Sequence, residues 1–374
     1  MTQPVAIFCV TTPMSIPLFG NRLHLLVEAG IDLNIVVGEP ITESIAELPT
    51  AAKVHVVPMT RSINLVGDLI ALLRMVKLQR KLSPRLVAAA TPKASLIGLL
   101  AARFNRVPVR VWEVWGAKWD GRKSPRNQAL MLADRIIAGS ANRIVAVSRS
   151  LSELLVEERI VRSQPEVIGN GSTKGVDTLR FCPASPSGEP KNPTIGFVGR
   201  ISIDKGFETL IEVASALRES IPCLTLLLVG DIDAADPPSA AALRVIDHAS
   251  WLRTTGWVLD TAPYYSEIDL LLFPSLREGL PNAVLEAASS GIPVVAYDAV
   301  GTRDSVVSGE TGYLVPKGDR EEMLNRTQEL MLNPEIRQEM GRLARQFVTS
   351  HFDARDLSDL WINYYLRYFM PMSE

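Results

Sequence analysis

The sequence has little that could cross-link it, hold a metal or anchor it in a bilayer. Only three of its 374 residues are cysteine (Cys9, Cys182, Cys223), and none belongs to a C-x-x-C pair. That excludes a disulfide framework and a zinc site, and it fits a reducing compartment. No apolar run reaches the roughly 20 residues of a membrane span. Leu96–Ala102, Leu224–Val229 and Leu270–Phe273 have only the length of core segments. The opening Met1-Thr2-Gln3-Pro4 has no basic residue, and Val5–Val10 is too short for a secretory signal, so a cytoplasmic protein is expected. Neither half contains G-x-G-x-x-G, which disfavours a dinucleotide cofactor. The net charge of −2 offers no basic excess for nucleic acid.

What is present is a foldable chain, 47% hydrophobic and long enough for two domains. Charge divides unevenly along it. Residues 1–185 hold 23 Lys and Arg against 14 Asp and Glu, a balance of +9, and the remainder stands at −11. A basic front half suits an anionic partner. Strand-like runs alternate with helix-length segments throughout. In the first half the strands read Val5–Thr11, Ile31–Val37, Lys53–Pro58, Arg85–Ala90, Val109–Val114, Arg143–Val147 and Glu166–Gly169. Their apolar residues run continuously, as a parallel sheet covered on both faces requires. Pro183–Pro193, rich in turn residues, reads as a linker. The alternation then restarts with Thr194–Val198, Leu224–Val229, Gly256–Leu259, Leu270–Pro274, Pro293–Tyr297 and Gly312–Val315. The expectation is an α/β protein of two Rossmann-like domains, 1–185 and 186–352, facing across a cleft. A last helix, 353–369, is aromatic on one side.

Two stretches carry the chemistry. In the first, Pro274–Ala287, a buried strand ends, a short loop holds Glu278, and a helix opens at Pro281. The backbone N–H groups of Leu280, Asn282 and Ala283 then suit a phosphate. Glu278 and Glu286 flank that site, where sugar hydroxyls are their natural partners. In the second stretch, Arg200 ends a strand and Lys205-Gly206 opens the next helix, two cations suited to a diphosphate.

The order of these motifs resembles a known family. Gly199-Arg200…Lys205-Gly206 is followed by Gly230-Asp231, Gly256-Trp257-Val258, Pro263-Tyr264-Tyr265 and Pro274…Glu278-Gly279-Leu280-Pro281-Asn282. Pro293-Val294-Val295, Arg303-Asp304 and Gly312-Tyr313 complete the run, which is similar to a retaining GT-B glycosyltransferase of family 4. The first half, with Thr91-Pro92-Lys93, Ala133-Asp134-Arg135 and Gly169-Asn170-Gly171, resembles the branch that builds capsule, O-antigen and lipid-linked oligosaccharides. The resemblance implies a nucleotide sugar, UDP-linked, held by the second domain through Gly199, Gly230, Val258, Gly279, Leu280, Pro281, Asn282, Ala283 and Glu286. Glu278, Lys205 and Arg200 would act at the reaction centre, with no metal and no cofactor. A glycan or polyprenyl-diphosphate acceptor would be met by Gly20, Thr91, Lys93, Trp115 and Gly116 of the first domain, and the last helix would cross back onto that domain. Two positions depart from the pattern: Ala90 and Trp115 stand where relatives often carry a basic residue.

The implied activity is transfer of a hexose or N-acetylhexosamine to a glycan. The alternatives are a nucleotide-sugar epimerase or hydrolase of the same fold, or a transferase with a soluble acceptor. Asp231-Ile232-Asp233 fits a D-x-D metal pattern, but the neighbouring cations already serve the diphosphate. Arg74, Lys77 and Lys81 recur at helical spacing within Ile63–Leu82, and Lys118, Arg122, Lys123 and Arg126 surround Trp119. Both groups are expected to meet anionic lipid at the inner face of the cell membrane, by peripheral contact alone.

Overall fold

The computed structural model describes residues 3–41, 48–60, 64–119, 124–184 and 192–369. Arg122, Lys123 and most of the expected linker, 185–191, lie outside the described residues. The chain forms two compact units, Met1–Gly175 with Ala354–Glu374, and Val176–Asp353. The division falls earlier than the Pro-rich stretch, because Val176 and Phe181 already lie in the core of the second unit.

The first unit alternates strands and helices: β1 (Val5–Cys9), α1 (Arg22–Glu28), β2 (Asp32–Val37), β3 (Lys53–Val56), α2 (Leu65–Leu82), β4 (Leu86–Ala89), α3 (Pro92–Phe104), β5 (Val109–Val114), α4 (Pro125–Ser140), β6 (Arg143–Ala146) and α5 (Arg149–Glu157). All pairings are parallel, in the order β3-β2-β1-β4-β5-β6. The second unit repeats the plan with β7 (Thr194–Val198), α6 (Phe207–Ser220), β8 (Thr225–Val229), α7 (Ala240–His248), β9 (Leu252–Thr254), α8 (Ala262–Tyr265), β10 (Leu270–Phe273), α9 (Asn282–Ser289), β11 (Val294–Tyr297), β12 (Gly312–Val315), α10 (Arg320–Leu332) and α11 (Pro334–His351). Its sheet runs β12-β11-β10-β7-β8-β9, the same crossover plan. Each sheet therefore has a topological switch, between β1 and β4 and between β7 and β10, and ligands of open α/β sheets gather at such points.

Two expected strands are corrected. Glu166–Gly169 contributes one bridge, Val145 to Glu166, rather than a ladder. The segment Gly256–Leu259 contributes one antiparallel bridge, Gly256 to Gly230, and the edge strand is the preceding Leu252–Thr254. That strand is half-exposed and carries Arg253, so no apolar run announces it.

The continuous apolar runs are explained by the cores. In β7, β8, β10 and β11 alternate side chains point to opposite faces. Phe197, Leu226, Leu228, Leu270 and Leu272 fill one core, and Val198, Leu227, Val229, Leu271 and Phe273 fill the other. The last helix, α12 (Ala354–Leu366), belongs to the first unit, where Leu357, Trp361, Tyr364 and Tyr365 join the core with α1 residues Leu23 and Leu26.

Beneath α12 lies a buried ion pair. Arg22 Nη2 meets Glu113 Oε2 at 2.7 Å, with 1% and 0% of the side chains exposed. The guanidinium also covers the Trp361 ring, 4.0 Å from its centroid. Glu113 further accepts from Trp115 Nε1 at 3.1 Å and from the Tyr365 hydroxyl. Elsewhere in this unit, Trp119 Nε1 donates to the buried Asp134 at 2.7 Å. Burial pushes the Asp134 carboxyl up to about 6, against the opposing pull of that bond.

Candidate active site

The β7–β10 switch brings two distant loops together. Behind β7, Gly206 adopts φ +72°, and a Cβ there would lie 1.9 Å from the Pro274 carbonyl oxygen. Only glycine lets the loop approach the end of β10 so closely. Lys205, one residue earlier, consequently reaches Glu278: Nζ to Oε1 is 2.5 Å, and both side chains are more than four-fifths buried. The Ser275 hydroxyl donates to the same Oε1 at 2.7 Å. A second close approach joins the loop after β11, where a Cβ on Gly301 (φ +79°) would lie 2.2 Å from the Gly279 carbonyl oxygen.

Next to this pair α9 begins. Pro281 is its N-cap rather than its first residue, with extended φ −77° and ψ 112°, and the helix starts at Asn282. No side chain caps it. The first N–H groups of an α-helix lack intrahelical partners, and the helix dipole adds partial positive charge there. Asn282 Oδ1 and Thr302 Oγ1 are buried without a hydrogen-bond partner, an uncommon condition that a polar ligand would relieve.

Arg200 lies in the loop just past the end of β7. Its side chain is 59% exposed and pairs with Asp233, with Asp204 3.9 Å away. Asp204 gathers the loop: it accepts from Ser202 and pairs with Arg277 at 3.2 Å. Burial alone would raise the Asp204 carboxyl, but the Ser202 hydroxyl and the cations Lys205, Arg277 and Arg200 hold it below the usual range. Asp231 Oδ1 accepts from the Ile232 N–H at 2.8 Å. Among the described residues no three of His, Cys, Asp and Glu converge as a metal site would require.

Glu286 is buried inside α9 and accepts from the Tyr265 hydroxyl at 3.0 Å and from Thr261 at 3.4 Å. Burial and the neighbouring Glu286 charge push the Tyr265 hydroxyl well above its ordinary value, so it remains a donor. Tyr265 also donates to the Ala283 carbonyl at 3.2 Å. Gly199 and Gly230 touch at the ends of β7 and β8, a Cβ on Gly230 falling 2.0 Å from the Gly199 oxygen. Val258 and Leu280 pack, half-buried, against the second-unit core.

In the first unit, Thr91 caps α3 with φ +64°, a strained value for a β-branched residue. Thr11 holds it there: its N–H donates to Thr91 Oγ1 at 2.9 Å and the two hydroxyls lie 2.8 Å apart. Lys93 is paired with Asp68 of α2 at 2.5 Å. Trp115 packs edge-on against Phe19, next to Gly20, so the loops after β1 and β5 meet, with Gly116 following directly. Ser275, Asp204, Arg277 and the buried Arg22–Glu113 pair escaped sequence reasoning. Ser275 and Arg277 lie within the Pro274–Glu278 motif, but nothing local marks Glu113 as buried.

The fold is that of a GT-B glycosyltransferase. The chain matches the family description "Glycosyl transferases group 1" over residues 192–333 and "Glycosyl transferase 4-like domain" over 22–171. It belongs to this glycosyltransferase family, in the capsule and O-antigen branch. It is 30% identical to the capsular polysaccharide biosynthesis glycosyltransferase CapM of Staphylococcus aureus, over 92% of each chain. It is 26% identical to the Escherichia coli UDP-Gal:α-D-GlcNAc-diphosphoundecaprenol α-1,3-galactosyltransferase, over 82% of this chain and 81% of that one. Among solved structures, the sucrose-phosphate synthase of Thermosynechococcus elongatus superposes with a TM-score of 0.80 at 19% identity, covering 98% of this chain and 99% of that one. Among the described residues no helix is long and apolar enough to cross a membrane.

Proposed function

We propose that the protein transfers a hexose or N-acetylhexosamine from a UDP-sugar to a glycan carried on a polyprenyl diphosphate, retaining the anomeric configuration and using no metal. The observation that carries this reading is the Lys205–Glu278 pair beside the uncapped start of α9. As the anomeric C–O bond breaks, negative charge gathers on the departing diphosphate. The Lys205 ammonium and the α9 amides are preorganised donors for that charge, and Arg200 adds a more distant cation. Among the described residues the bonds to Glu278 end on Oε1, which leaves Oε2 for sugar hydroxyls. Glu286 binds the ribose. The acceptor hydroxyl approaches on the leaving-group face and gives its proton to a diphosphate oxygen. Donor and acceptor classes rest on the E. coli relative, whose name specifies UDP-Gal and a diphosphoundecaprenol-linked acceptor. Such an acceptor places the enzyme peripherally at the inner face of the cell membrane, with the basic first half toward anionic lipid.

The test separates the two glutamates. Glu286→Ala should weaken UDP binding by about 1.5–3 kcal/mol, the worth of hydrogen bonds to a charged acceptor. Glu278→Ala should bind free UDP like the wild type yet lose turnover, because its contacts are to the sugar. Titration calorimetry with UDP, paired with product analysis, decides. Equal loss of UDP affinity in both variants contradicts the assignment. Sugar release or epimerisation from the donor alone would identify an epimerase or hydrolase instead.

Because cationic side chains serve the diphosphate, turnover should survive excess EDTA, and Asp231→Ala should remain active. Loss of activity on chelation, restored by Mn²⁺ or Mg²⁺, would overturn the metal-free mechanism.

A further inference from the structure

α2 carries apolar side chains on two opposite sides. Its inner side, Ala71, Met75 and Gln79, is buried, and Gln79 Nε2 donates to the Gly98 carbonyl of α3 at 3.0 Å. The Asp68–Lys93 pair ties the first turn of α2 to the first turn of α3. At 3.6 residues per turn, Leu65, Val66, Leu69, Ile70 and Leu73 fall on the opposite side. These five are between 46% and 81% exposed. They form a row about 12 Å long at 1.5 Å per residue. Beyond it the exposed Arg74, Lys77 and Lys81 continue the outward side. Asp68, the one acidic residue of α2, is engaged by Lys93.

The fold determines which end is apolar. A helix in a parallel β-α-β unit starts at the carboxyl end of the strand before it. α2 therefore starts at the sheet edge where β1, β4 and β5 end, the edge that bears Gly20, Thr91 and Trp115. The Asp68–Lys93 contact brings its first turn beside the loop of Thr91. The apolar half of α2 thus lies toward the candidate acceptor loops and the basic half away from them.

A contiguous exposed apolar row marks an interaction surface. Its chemistry, aliphatic side chains followed by cations and no outward carboxylate, is complementary to acyl chains beneath anionic headgroups. We propose that the outward side of α2 is an interfacial helix that inserts Leu65, Val66, Leu69, Ile70 and Leu73 into the acyl boundary of an anionic bilayer, with Arg74, Lys77 and Lys81 against lipid phosphates. This rests on the membrane reading above and sharpens it: charge steers the approach, and apolar burial holds the helix. It also sets the rim bearing Thr91 and Trp115 at the surface from which a lipid-linked acceptor projects.

The full chain is sedimented with vesicles of phosphatidylcholine alone and of phosphatidylcholine with phosphatidylglycerol, without sugar donor, from low salt to ~1 M NaCl, where the screening length is about 3 Å. The wild type should bind the anionic vesicles and stay bound at high salt. Leu65→Ser/Leu69→Ser/Leu73→Ser should lose about 10²-fold in partition at every salt concentration, since each leucine contributes apolar burial. Arg74→Glu/Lys77→Glu/Lys81→Glu should lose binding chiefly at low salt. An unchanged Tm shows that each variant is folded, as expected for exposed positions. Release of the wild type by salt, with the serine variant binding like the wild type, overturns apolar insertion but leaves peripheral binding standing. A wild type that ignores both vesicle types overturns both. A dimer in light scattering that the serine variant converts to monomer, without vesicle binding, assigns the face to a second copy and overturns the bilayer. None of these readouts depends on sugar transfer, so they are independent of the fate of the catalytic reading.

Discussion

Lys205→Ala should lower kcat by about 10²–10³, the loss found when one preorganised donor to a developing anion is removed. The geometry makes this the sharpest test of the site. Lys205 is held by Glu278 at 2.5 Å in a largely buried pair, so its ammonium is positioned before any ligand arrives. Preorganisation means no reorganisation cost is incurred as charge develops on the leaving group. Breaking a buried pair also leaves Glu278 without its cation, which costs stability. The kinetic loss must therefore be read on protein shown to be folded by its Tm and by UDP binding. Initial rates over a range of donor concentrations separate kcat from KM, and the loss should fall mainly on kcat. A kcat within roughly threefold of wild type would remove Lys205 from the transition state.

The largest effect on stability is expected in the first unit. Glu113→Gln keeps the shape of the side chain but leaves the Arg22 guanidinium, 1% exposed, without its counter-charge. Breaking such a pair from one side costs about 3–5 kcal/mol. At about 2–4 °C per kcal/mol, that lowers the transition of the unit by about 6–20 °C. Arg22→Met should cost a similar amount, because it strands Glu113 and removes the cation over the Trp361 ring. The double variant should cost much less than the sum, since neither charge is then left alone. Scanning calorimetry of the four proteins measures the coupling directly. Additive losses, or a drop below about 2 °C for each single variant, would show the pair to be energetically idle.

The sequence alone was enough to show two successive Rossmann-like units and to locate the second-unit motifs. Both are local: a strand buried on two faces is apolar along its whole length, and a strand, loop and helix that follow one another keep their residues in one place. Glu278 and the start of α9 were legible for that reason, to within the one residue by which Pro281 proved a cap. The edge strand β9 was not, because a half-exposed edge needs no apolar run.

Only the tertiary structure decided which of these residues meet. Lys205 and Glu278 are 73 positions apart and touch because β7 and β10 are neighbours and Gly206 has no side chain to hold them off. Arg200 pairs with Asp233 in the loop after β8, a contact that no local pattern marks. Glu113 reads as an ordinary strand carboxylate until α1 and α12, the latter more than 200 positions along the chain, close over it with Arg22 and Tyr365. On α2, periodicity identifies a helix with apolar residues on both sides. Packing against α3 selects the side that is buried, and the other, by remaining exposed, becomes a surface. Local pattern records what each segment must bury, whereas contacts between segments depend on strand order, which no short stretch of sequence encodes.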